Sequence, residues 1–190
     1  MKTRIIDLPL KEKDLTSLRA GDLVLLNGYV YTARDAAHQR LIEEYDSKGT
    51  FPIQLENEMI YYVGPCPNKP GEIIGSAGPT TSGRMDTYTP FLLDNGLKGM
   101  MGKGNRSKSV IESIMKNKAI YFGVIGGIGA LLKDCIRSAT VLAYEDLGTE
   151  AIRCLMIKEF PCIVAIDTLG NNIYDIEPKK YRCRRDYNVS

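Results

Sequence analysis

The stretch 22-DLVLLNGYVYTARDAAHQRLIEEYDSKG-49 contains two different periodicities in succession. Residues 23 to 32 are apolar, aromatic and β-branched, the content of one or two strands, and Asn27-Gly28 in their midst is a turn signal that predicts a hairpin. From Asp35 onward, Ala36, Ala37, Leu41 and Ile42 recur near helical spacing, and Gly49 supplies a stop. Extended chain therefore hands over to a helix through Ala33-Arg34-Asp35, which places Arg34 at a helix N-terminus.

The same alternation runs outward in both directions. Upstream, residues 11 to 18 form a short helical patch closed by Ala20-Gly21. Downstream, "MIYYVGPC" (59–66) and "GEIIGSAG" (71–78) predict short strands around a proline-rich loop. A helix is expected after Thr80 to Ser82 through "GRMDTYTPFLLDN", interrupted at Pro90 and ended at Gly96. "LKGMM" is a strand, "GKGNR" a loop, and "SKSVIESIMKNK" a helix capped by Ser107. "AIYFGVI" is a buried strand, "GGIGALLKDCI" a glycine turn into a helix, and "ATVLAYEDL" a strand. "IRCLMIKEFPCIVAIDTLGNNIYDI" predicts strands turning at Leu169-Gly170-Asn171, followed by a basic polar tail from about residue 179. With no internal repeat, low-complexity segment or linker, the order predicts a single α/β domain over residues 1 to 190, with a mixed sheet.

Composition narrows the function. The 190 residues are 44% hydrophobic and 25% charged, ordinary for a globular protein able to bury a real core. Lys and Arg number 25 against 23 Asp and Glu, a net charge of +2, so no global field gathers nucleic acid or an anionic membrane. No apolar run approaches the roughly 18 residues of a membrane span, and the first residues lack the apolar core of a signal peptide, so the cytoplasm is expected. Cys66, Cys135, Cys154, Cys162 and Cys183 form no CxxC pair and match no zinc or cluster spacing, which fits reduced thiols.

Three segments carry polar chemistry at junctions: "YTARDAAH", "SAGPTTSGRMD" and "MMGKGNRS". Each sets a cation beside small residues: Arg34, Arg84 and Lys103. Glycine lets backbone N–H groups approach a ligand and a helix start adds partial positive charge, so the natural ligand is an anion. Any one of these cations alone reads as a solvated surface charge; three in the same context point to a site. The P-loop pattern fails at Leu97 and Gly104, and a dinucleotide turn at "GVIGGIGALL" fails at Leu132, leaving close helix-strand packing as the plain reading. His38, the only histidine, lies four residues after Arg34 and reads as a hydrogen-bonded structural residue, with Asp35 its one nearby carboxylate. Thr80 and Thr81 could be helix caps. A threonine hydroxyl acts as a base only where cations and backbone donors stabilise its deprotonated form, and Arg84 stands close by in sequence.

In this order and spacing, "TARDAAHQR", "GPTTSGRMD" and "GKGNRS" resemble the β subunit of the two-subunit class I fumarases, within the iron-sulfur hydro-lyases that include tartrate dehydratase. The likeness extends from "LRAGDLVLLNG" to "FPCIVAIDTLGNNIY". It implies a swivelling β/β/α-type domain and reversible hydration of fumarate to L-malate. It also implies a [4Fe-4S] cluster held by the cysteines of a partner α subunit, not by this chain, in an α2β2 or similar assembly. By the resemblance, Arg34, Arg84 and Lys103 bind the dicarboxylate, Thr80 is the base at C3, and Asp35, His38 and Thr81 give possible support. Gly83, Asp86 and "NRS" favour the fumarase branch. An L(+)-tartrate dehydratase subunit, or a non-catalytic anion-binding or assembly domain, are the alternatives.

Overall fold

The computed structural model describes residues 3–181; Cys183 and the end of the basic tail lie outside them. The strands are β1 Arg4–Asp7, β2 Leu23–Thr32, β3 Met59–Tyr61, β4 Gly99–Gly102, β5 Ile120–Gly123, β6 Ile136–Ala143 and β7 Ile152–Ile166. The helices are α1 Glu12–Ser17, α2 Asp35–Lys48, α3 Thr89–Asp94, α4 Lys108–Asn117, α5 Gly129–Lys133 and α6 Ile173–Tyr181. β2, β3, β4 and β5 pair in parallel, in that order. β7 runs antiparallel to β5 and also to β2, so five strands close into a small mixed barrel. β1 extends β2 in parallel and β6 extends β7 antiparallel. The expected mixed α/β architecture is present.

Asn27-Gly28 does not turn the chain. β2 is one ten-residue strand, and the register against β7 shifts between Leu26 and Gly28. Asn27 Oδ1 accepts the Glu159 N–H at 2.8 Å, and both Gly28 (φ 121°) and Glu159 (φ 51°) lie in left-handed backbone space. The turn signal is thus spent on a bulge, which bends two long strands around a closed sheet. A Cβ at Gly28 would sit 2.9 Å from Leu8 Cβ, so the bulge needs glycine twice over.

Three other expectations change. "GEIIGSAG" is loop, pressed so tightly on its neighbour that a Cβ at Gly75 would collide with the Cys66 carbonyl. Residues 82 to 95 are a 3₁₀ turn, Ser82–Met85, followed by the separate helix α3, whose first turn holds Pro90: the proline begins a helix instead of breaking one. After Leu169-Gly170-Asn171 the chain enters α6, so the tail expected from residue 179 starts inside a helix. α2 ends at Gly49 in left-handed conformation, and Ser107 caps α4 through Val110 N–H, both as read from sequence.

The pleat of the strands separates two cores. Met59, Tyr61, Met101, Phe122, Leu155 and Phe160 share one; Ile60, Tyr62, Met100, Tyr121 and Ala165 share the other with Leu41 of α2, Leu92 of α3 and Ile114 of α4. Five strands cannot enclose three helices, so the second set is the outer face and the first fills the barrel. The section is β/β/α: two walls of the closed sheet and one helical layer.

Candidate functional site

Neighbouring parallel strands send their carboxyl ends to the same edge of a sheet, where open α/β folds bind ligands. Here β2 leads to Arg34, β3 to Gly64, β4 to Lys103 and β5 to the Gly126-Gly127 turn. The Gly75–Thr80 loop returns to this edge and is pinned there. Ala77 N–H donates to Gly129 O at 3.1 Å, Tyr61 Oη–H to Ala77 O at 2.6 Å, and Thr80 N–H to Tyr62 O at 2.7 Å. Lys103 N–H in turn donates to Thr80 O at 3.3 Å, and Ser82 N–H to Lys103 O at 2.9 Å. Thr81 and Lys103 thereby form a parallel bridge.

The small residues around Thr80 exist for close approach. A Cβ at Gly129 would lie 2.7 Å from Gly78 N and 2.6 Å from Ser76 Oγ, so the start of α5 touches a loop where close helix-strand packing was expected. Lys103 runs exposed beside Gly126, where a Cβ would stand 3.7 Å from Nζ. Thr81 precedes the 3₁₀ turn, yet its side chain makes no cap hydrogen bond, which removes the bland explanation for that hydroxyl.

Arg34, Asp35 and Arg84 form a second group at the same edge. Arg84 Nε–H donates to Asp35 Oδ1 at 2.9 Å, and Arg34 Nη2 lies 3.7 Å from Asp35 Oδ2. Arg34 Nη2 also lies 3.4 Å from Glu150 Oε1. The Arg84 side chain is 51% exposed and that of Arg34 21%. His38 lies beneath the second group and touches it through the Arg34 backbone. It is fully buried, packed against Tyr62 and Tyr88, and its Nδ1–H donates to Arg34 O at 2.8 Å in the tautomer that satisfies that carbonyl. Burial holds its pKa down at about 4, so the ring is neutral near pH 7. Its Nε2 is buried without a hydrogen-bond partner.

Residues to which the sequence reading gave no place in the site support this edge. Gly64 makes space for Arg34: a Cβ there would stand 2.7 Å from Nη1. Asp86 and Arg106 join two of the motif segments. Arg106, with its side chain wholly buried, donates from Nε to Asp86 Oδ1 at 2.6 Å and from Nη2 to Thr89 Oγ1 at 2.7 Å, between the rings of Tyr62 and Tyr121. Asp86 Oδ2 also accepts Ser107 N–H at 2.6 Å. The signal for this pair was present as an acid in one motif and a base in another, but nothing local joined them. Glu150 had no signal at all.

At the cationic edge Arg84 and Lys103 are exposed, and Arg34 and Thr80 are half-buried. Two hollows of about 450 and 480 Å³ are present, one beside Glu72, Lys133 and Arg137, the other beside Pro65, Thr149 and Arg153, next to Gly64 and Glu150, and none of the seven candidate residues lines either. Among the described residues no group of His, Cys, Asp and Glu is placed to hold a metal ion, and no helix is long and apolar enough to cross a membrane. Cys66 is exposed, Cys162 is buried, and Cys135 and Cys154 are half-buried. The chemistry offered is anion binding by cations and a hydroxyl at a crowded glycine-lined edge.

Comparison with known proteins places the chain in a family. The chain is 38% identical over 164 residues to fumarate hydratase 2 of Leishmania major, covering 85% of this chain and 29% of that protein. It is 36% identical to the aerobic class I fumarate hydratase of Escherichia coli K12, covering 89% of this chain and 32% of that one. It is 35% identical to the L(+)-tartrate dehydratase subunit beta of the same organism, covering 96% of this chain and 92% of that subunit. The chain thus spans about a third of the fumarate hydratases and nearly all of the tartrate dehydratase subunit. The family described as Fumarase C-terminus matches residues 2–176, and with its three cation-bearing loops gathered at one strand-end edge, this chain belongs to that family.

Proposed function

We propose that this chain, acting as one domain, is the β-type subunit of a two-chain hydro-lyase that interconverts fumarate and L-malate. The observation that carries the reading is the convergence of Arg34, Thr80, Arg84 and Lys103 on the carboxyl ends of adjacent parallel strands β2 to β5. Three cations partly offset by Asp35 and Glu150 leave a local surplus of positive charge, suited to a dicarboxylate.

In the dehydration direction, malate loses a proton from C3 and hydroxide from C2, giving fumarate and water. Thr80 Oγ1 is the proposed acceptor of the C3 proton, and the guanidinium groups stabilise the charge that develops on the adjacent carboxylate. The described residues do not fit a [4Fe-4S] cluster, so the cluster, and the chemistry at the C2 hydroxyl, are assigned to a partner α subunit. Coverage of 92% of a protein named as a subunit beta supports the two-chain reading, and the exposure of Arg84 and Lys103 supports a site completed by a partner.

That same coverage favours tartrate as the second reading. The deciding experiment is anaerobic reconstitution with the partner chain and turnover of L-malate, L(+)-tartrate and methylated analogues. The expected outcome is the highest kcat/KM for malate; a clear preference for tartrate overturns that choice. Arg84→Ala is expected to lower kcat/KM about tenfold to a hundredfold, the worth of one charge-assisted bond, and Thr80→Ala to lower kcat about a hundredfold or more. Unchanged activity in both variants would favour the non-catalytic alternative.

A further inference from the structure

Helix α2 begins without a cap of its own. Its N-cap residue is Arg34, whose side chain makes no cap hydrogen bond, and the first N–H groups of any helix need an external acceptor. That acceptor arrives from 114 residues away. Glu150 Oε2 accepts the Ala36 N–H at 3.0 Å, while Oε1 of the same carboxylate lies 3.4 Å from Arg34 Nη2. Glu150 ends a 3₁₀ segment, Glu145–Glu150, which together with the preceding Tyr144 is tied along α2 at two further points. Arg40 Nη1 donates to both oxygens of Asp146 at 2.7 and 2.8 Å, and Tyr144 Oη–H donates to Glu44 Oε2 at 2.6 Å.

The other carboxylate near the Arg34 guanidinium holds it less closely. Asp35 is farther from it, at 3.7 Å, and gives its close contact, at 2.9 Å, to Arg84. Arg34 Nε is buried with no hydrogen-bond partner. One carboxylate therefore contacts both the first turn of α2, from which Arg34 projects, and the guanidinium at its end.

We propose that Glu150 is a positioning residue for Arg34, orienting it toward a substrate carboxylate. This rests on the reading above that Arg34 binds the dicarboxylate. Gln retains a carbonyl oxygen for the Ala36 N–H and removes the charge, so Glu150→Gln isolates the ion pair from the helix cap.

The test uses the reconstituted two-chain enzyme with L-malate as probe, or L(+)-tartrate if that is the better substrate. Glu150→Gln is expected to raise KM about two- to fivefold, the range of a partly exposed ion pair, with kcat within about twofold. The increase should vanish in an Arg34→Gln background, and Asp146→Asn, which loosens the same segment without touching Arg34, should leave KM unchanged. An unchanged KM in Glu150→Gln alongside a raised KM in Arg34→Gln overturns the positioning role and leaves the Arg34 reading intact. So does a Glu150→Gln effect that persists at full size in the Arg34→Gln background, or an equal rise in KM for Asp146→Asn. An unchanged KM in Arg34→Gln removes the Arg34 reading, and the proposal with it.

Discussion

The His38 ring lies wholly inside the protein, and burial holds its pKa at about 4 against an ordinary 6.5. Unfolding releases a ring that takes up a proton below pH 6.5. Between pH 6.5 and 4 the unfolded chain binds the extra proton, so stability falls as pH falls through that window, by up to about 3 kcal/mol for this residue. Denaturant unfolding of the full chain at a series of pH values should show the decline beginning below pH 6.5, and His38→Gln should flatten it between 6.5 and 5. An equal slope in both proteins would exclude a buried neutral histidine. Gly64 makes a prediction of another kind, because its missing Cβ is filled by Arg34 Nη1 and Cδ, at 2.7 and 2.9 Å. A flexible side-chain end can move aside, so Gly64→Ala should cost no more than about 1 kcal/mol in unfolding free energy. Its effect should appear in KM for the dicarboxylate, raised severalfold; an unchanged KM would mean that Arg34's position is immaterial to binding. Arg34 was legible in the sequence because a cation at a strand-to-helix junction is a local pattern. Glu150 was not, since its importance comes wholly from a contact across the fold.

Between elements, Asp86 and Arg106 lock the 3₁₀ turn that carries Arg84 to the loop that carries Lys103. The pair is 2.6 Å apart with the Arg106 side chain sealed from solvent, so removing the acid leaves a buried charge uncompensated. Asp86→Ala should therefore cost about 3–5 kcal/mol of stability. Arg106→Met should cost less, because methionine can fill the space between Tyr62 and Tyr121 and the Asp86 that remains has some access to solvent. Thermal or denaturant unfolding of both variants decides, and the reverse order would count against a buried ionic latch. The elements themselves were unevenly readable. Gly49 and Ser107 end and begin helices by local capping chemistry, which sequence displays directly. The β2 bulge was read as a hairpin because Asn-Gly serves either use, and only the partner strand β7 selects between them. α6 was missed because Pro178 lies inside it, against the ordinary rule for helix interiors.

On the scale of the whole molecule, closing β2, β3, β4, β5 and β7 into a barrel aligns four strand ends and presents their loops as one exposed cationic edge. If a partner supplies the remaining face, the isolated full chain should give no measurable turnover of L-malate or L(+)-tartrate, and activity should appear on adding the partner chain. Turnover by the isolated chain would exclude a divided active site. The sequence by itself determined the mixed α/β class, the near-neutral charge with its local cations, the loops that bear Arg34, Thr80, Arg84 and Lys103, and the family those loops resemble. These are properties of composition and short-range pattern, and short-range pattern survives in a linear string. Tertiary structure alone decided that Asn27-Gly28 bends a continuous strand, that Arg106 is a buried tie while Arg84 and Lys103 face solvent, and that Glu150 reaches both Arg34 and the start of α2. Each of these depends on which distant segments meet, and that is set by barrel closure and the packing of two cores, a balance of many weak contacts that no local stretch of the chain contains.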